Sequence, residues 1–167
     1  MEGVRRVGRS LKRAWTDGND LAAREDMALA SLLGGLALAN AGLGAVHGLA
    51  APLGGLAPVP HGAACAALLP HVLEANLRAS GRGSPVWVKF RELAGLLTGD
   101  PGADAQEGLR WVQDLVTELQ VPGLGSYGLT AADLDHIAER GLAASSMKAN
   151  PVTFDRAALV NILAKAM

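Results

Sequence analysis

Three of the four histidines and the sole cysteine of this 167-residue chain fall within one stretch, Asn40 to His71, NAGLGAVHGLAAPLGGLAPVPHGAACAALLPH. His47 and His61 stand there among glycines and alanines, with almost no other polar side chain between them. A buried imidazole without a partner costs free energy, so an apolar run that keeps two of them points to a use for their ring nitrogens. The neutral imidazole nitrogen is a common ligand for divalent iron and zinc. The thirteen residues between the two histidines include Pro52, Gly54, Gly55, Pro58 and Pro60, a loop that lets the chain fold back and bring the rings together. Spacing alone is a weak signal for a metal site, and the alternative reading is two histidines satisfied by backbone carbonyls around that loop. His71 lies ten residues after His61 and need not share its face, and His136 sits in a polar pattern with Asp133 and Asp135 that reads as solvated. Cys65, one helical turn past His61, reads as a small core residue.

The elements that must position these residues read as helices throughout. No run alternates β-branched or aromatic residues with polar ones, and aromatic residues make up only 4% of the chain. Val4, Val7, Leu11 and Trp15 mark a first amphipathic helix, which Asp17-Gly18-Asn19 ends. Asn19 or Asp20 then caps a long helix running to about Asn40, whose first turns are charged and whose remainder is apolar all round. That pattern predicts a helix that starts at the surface and passes into the core. Gly42 and Gly44 interrupt it, and a short helix carries His47. Pro60 bars a helix upstream, so His61 opens the next one, which runs to near Ala79. Ser84-Pro85 starts a further helix with a cap and an N1 proline, ending near Gly99, and the linker Asp100 to Asp104 leads to another, closed by Pro122-Gly123. Thr130-Ala-Ala-Asp133 resembles a capping box that opens a helix through about Leu142, and Thr153 is read as the cap of the last one. The sum is an all-α bundle of about seven helices, taken as a single helical domain over residues 1–167.

Several longer patterns resemble a known family. Ala39-Asn40-Ala41-Gly42-Leu43-Gly44-Ala45-Val46-His47, Pro52-Leu53-Gly54-Gly55, Pro60-His61-Gly62, Leu69-Pro70-His71 and the tail Ser145-Ser146-Met147-Lys148-Ala149-Asn150-Pro151 are similar to the signature of iron-containing (group III) alcohol dehydrogenases. That family includes the maleylacetate reductases and belongs with the dehydroquinate-synthase-like enzymes. The resemblance implies that His47 and His61 occupy two metal-ligand positions, for Fe2+ or Zn2+, in the helical C-terminal domain of an NAD(P)-dependent oxidoreductase. It also implies a small-molecule alcohol or aldehyde substrate, with the nicotinamide cofactor bound by a separate N-terminal α/β domain.

The chain departs from that pattern in three places. The family's other two ligands, an aspartate and a histidine one helical turn apart, have no counterpart in residues 1–46. Ala51 stands where many members carry a further histidine. No phosphate-cradling glycine loop follows a strand. The expectation is therefore a truncated enzyme half, inactive alone, and the alternative is a non-enzymatic helical interaction or structural module derived from it.

Composition bounds the rest. With 15 basic and 16 acidic side chains and a net charge of −1, nothing favours nucleic acid or an anionic membrane as a partner. A single cysteine excludes an intrachain disulfide and suits a cytoplasmic setting. The apolar run from Met27 to Val46 has the length of a membrane span, but its Gly/Ala richness and lack of aromatic anchors favour a helix buried in protein. The expected association is a homo-oligomer or packing against a nucleotide-binding domain.

Overall fold

The computed structural model describes residues 1–167 and contains no strand. Eight α-helices follow one another: α1 (Glu2–Thr16), α2 (Leu21–Ala41), α3 (Ala45–Leu53), α4 (His61–Ser80), α5 (Pro85–Thr98), α6 (Ala105–Glu118), α7 (Leu134–Ala143) and α8 (Arg156–Lys165). Short 3₁₀ turns occupy Leu124–Tyr127, Ala131–Asp133 and Ser145–Ala149. The all-α architecture is the expected one, with a helix more than the sequence count. The helices group into two compact units, Met1–Ala41 with Gly81–Leu119 and Gly42–Ser80 with Gln120–Met167.

Most helix starts follow the local chemistry of the chain. The Ser84 hydroxyl accepts the Trp87 N–H at 3.1 Å, and the Pro60 carbonyl accepts the Ala64 N–H, so α5 and α4 begin where the prolines place them. Asp104 and Glu107 form a reciprocal capping box at the head of α6. The cap of α8 corrects the sequence reading. Asp155, not Thr153, accepts the Ala158 N–H at 2.8 Å, because the helix begins two residues later than the threonine requires.

The first unit joins α1, α2, α5 and α6. Its polar anchor is Asp26 on α2, which accepts from Arg6 at 2.6 Å, from Arg9 at 2.6 and 2.7 Å and from Ser10 at 2.5 Å. Ser10 is fully buried and Asp26 nearly so, although the charged run Arg24-Glu25-Asp26 reads as surface. The hydrogen bonds from Arg9 and Ser10 hold the Asp26 carboxyl well below the usual carboxylate range. Farther along α2 the expectation of burial fails. Leu32, Leu36 and Leu38 are 60%, 54% and 47% exposed, and only Ala23 and Asp26 of the whole helix are buried. An apolar pattern states that a surface prefers to be covered, but not that this chain supplies the cover. No single helix is long and apolar enough to cross a membrane.

The second unit holds α3, α4, α7 and α8 around Leu49, Leu53, Leu68, Leu124, Ile137, Leu159, Ile162 and Leu163, each at most 2% exposed. Burying each of these side chains contributes about 1.5–3 kcal/mol. At Gly42, φ is +74°, a left-handed conformation that stops α2 and frees the chain to start α3 three residues later. Where α3 meets α7, a Cβ on Gly141 would lie 2.8 Å from Leu49 Cδ2, so the missing side chain sets how closely the two helices approach.

Candidate metal centre

Helix α3 buries Ala45, Leu49 and Leu53, one face at four-residue spacing, and this leaves His47 half-exposed on the other side. Helix α4 buries Ala64, Leu68 and Val72, and the adjacent face carries His61 and Cys65 one turn apart. The two helices pack together, and the loop between them closes the fold-back. The imidazole rings of His47 and His61 come within 5.3 Å, centre to centre, inclined at 51°. The two histidines that the sequence singled out therefore converge.

Cys65 is half-buried and packs against the core, as the sequence reading has it, but it also meets His61, a contact that reading missed: its Sγ lies 3.5 Å from His61 Nε2. The donor atoms of His47, His61 and Cys65 all lie within 4.8 Å of one another. The legible signal was the His61-x-x-x-Cys65 spacing, which puts both side chains on one helical face. His71 stands apart, half-buried beside Glu74 and Lys165, and His136 is exposed as expected.

The surroundings favour uncharged donors. Burial and the neighbouring His61 ring lower the His47 pKa, which keeps its imidazole neutral and its lone pair free. Burial raises the Cys65 pKa, so its thiol stays protonated until a cation or base draws the proton off. Beside the donors opens a recess of about 400 Å³, walled by Val46, Ala66, Leu69, Val72 and Leu73.

Two residues that the sequence reading gave no role hold α3 in place. Asn150 Oδ1 accepts from the Ala45 N–H at 3.2 Å and from Asn76 Nδ2 at 3.3 Å. Asn150 Nδ2 donates to Asn76 Oδ1 at 2.8 Å and to the Val152 carbonyl at 2.7 Å. The Asn150 amide thus uses both lone pairs and both protons. Gly44, the residue before α3, has no side chain to cap the helix, and Asn150 does so across 105 residues.

Over residues 1–167 the chain matches the family model described as "Fe-containing alcohol dehydrogenase family, C-terminal". The chain belongs to the Fe-containing alcohol dehydrogenase family. Over 157 residues it is 40% identical to 1,3-propanediol dehydrogenase of Klebsiella pneumoniae, a match covering 90% of this chain and 39% of that one. Alcohol dehydrogenase 4 of Saccharomyces cerevisiae is 35% identical over 167 residues, covering 99% of this chain and 42% of the yeast enzyme. The crystal structure of a 1,3-propanediol oxidoreductase superposes with a TM-score of 0.88 at 34% identity, over 99% of this chain and 44% of that one. Maleylacetate reductase from Agrobacterium tumefaciens superposes with a TM-score of 0.75 at 28% identity, over 99% of this chain and 43% of that one. The chain corresponds to the C-terminal domain of this family and spans about two-fifths of the length of the curated relatives it matches.

Proposed function

We propose that this chain is the metal- and substrate-holding half of an NAD(P)-dependent alcohol/aldehyde oxidoreductase, with His47 and His61 as two of the metal ligands. The observation that carries the reading is the convergence of their rings to 5.3 Å, with His47 lining the recess. A divalent iron or zinc ion in such a site supplies Lewis-acid polarisation of an alcohol or carbonyl oxygen. The chain's own residues supply the rest: Asn150 fixes the start of α3 and so the position of His47, and the apolar walls of the recess offer contact to the carbon skeleton of a small alcohol. We assign nicotinamide binding to a separate nucleotide-binding domain. The exposed leucines of α2 are a surface suited to packing against such a domain or a second copy. They also favour the second reading, a helical module that binds a partner without chemistry.

Metal uptake separates the two readings. Protein dialysed anaerobically against Fe2+ or Zn2+ and analysed for bound metal should hold about one ion per chain. His47→Ala and His61→Ala should each abolish that stoichiometry while circular dichroism keeps its helical signal. Equal uptake by wild type and both variants, or none by wild type, overturns the reading in favour of the module.

A further inference from the structure

We propose that Cys65 is a third metal ligand, and that His47, His61 and Cys65 together form a site that takes thiophilic divalent ions, zinc and its spectroscopic substitute cobalt, ahead of ferrous iron. The proposal rests on the reading of His47 and His61 as ligands and extends it to the sulfur atom.

The geometry is that of a thiolate site. Zinc binds imidazole nitrogen at about 2.0–2.1 Å and thiolate sulfur at about 2.3 Å, so at a tetrahedral angle the two donors lie about 3.6 Å apart. Cys65 Sγ and His61 Nε2 are 3.5 Å apart, already at that separation. All three donor atoms lie within 4.8 Å of one another, with His47 half-exposed on α3 facing the pair on α4. His61 and Cys65 leave α4 on consecutive turns, so a rigid helix presets two of the three donors. Three donors from this chain would leave room for a further ligand, as a catalytic rather than a closed structural zinc site does, and His47 and Cys65 line the recess.

The donor set also decides the metal. Two imidazoles alone favour zinc over iron only by the general affinity order, whereas a thiolate adds a soft ligand that selects zinc and cobalt more strongly. Binding then replaces the thiol proton with the metal, and the proton leaves to solvent.

Cobalt reports the sulfur directly. Co2+ titrated into the reduced wild-type chain should give an intense near-ultraviolet sulfur-to-cobalt charge-transfer band together with visible ligand-field bands. Cys65→Ser should lose the near-ultraviolet band, keep weaker visible bands, and bind Zn2+ at least about 100-fold less tightly, the upper end of what losing an outer-shell partner causes. It should also narrow the preference for Zn2+ over Fe2+ in direct competition. If Co2+ binds wild type and Cys65→Ser equally and without the near-ultraviolet band, Cys65 is no ligand, while the histidine reading stands. If the band survives both His47→Ala and His61→Ala, the thiolate acts alone and the three-donor site is overturned. No uptake by folded wild type overturns both.

Discussion

Replacing Asn150 by alanine tests whether the polar bridge between α3, α4 and the Ser145–Ala149 turn holds the candidate site together. The substitution removes four hydrogen bonds, each worth about 1 kcal/mol net. Asn76 is only 4% exposed, and it would be left with an unpaired amide, a penalty of about 1–3 kcal/mol. The recess beside Asn150 can admit water to the Ala45 N–H and recover part of the loss. The expected cost is therefore about 3 kcal/mol, or a fall in Tm of about 6–12 °C for a chain of this length. Urea unfolding followed by far-ultraviolet circular dichroism should show a lower midpoint with an unchanged slope. Tryptophan fluorescence reports the other unit, which holds Trp15, Trp87 and Trp111, and serves as the internal comparison. Asn76→Ala removes two of the same bonds, so Asn76→Ala/Asn150→Ala should cost clearly less than the sum of the single changes. A loss below about 1 kcal/mol for Asn150→Ala, or strict additivity in the double variant, would show that the bridge does not hold α3.

Two further outcomes follow from the first unit. A Cβ on Gly108 would lie 2.7 Å from Ala94 Cβ and 2.8 Å from its Cα, with fully buried Ala94 unable to yield, so Gly108→Ala should cost about 1–3 kcal/mol despite its better helix propensity. Thermal melts measure it, and Ala94→Gly in the same chain should recover part of the loss. The depressed Asp26 pKa means that the unfolded chain takes up this proton at a higher pH than the folded one. Its contribution is therefore full above the ordinary carboxylate pKa of about 4 and is lost as pH falls from there through the depressed folded value. Urea midpoints measured across that range should fall with pH in wild type and fall less steeply in Asp26→Asn. Parallel slopes would exclude Asp26 as the source.

Much of the fold was legible because its signals are local. Ser84 before Pro85, Asp104 three residues before Glu107, and Pro60 before His61 each act within one turn of backbone, and each starts a helix where the chain says it should. His47 and His61 were legible as candidates for the complementary reason that imidazoles in a Gly/Ala run demand an explanation. The misses share the opposite cause. Thr153 and Asp155 are both competent caps two residues apart, and only the packed start of α8 chooses between them. The exposed leucines of α2 look in sequence like core, because hydrophobicity records a preference for burial and not the surface that provides it. By itself, then, the sequence determined the all-α class, most of the helix starts and the two candidate histidines. The tertiary structure alone decided that His47 on α3 meets His61 and Cys65 on α4 and that Asn150 caps a helix 105 residues away. Those pairings depend on how helix faces rotate and pack against one another, which no short-range pattern encodes.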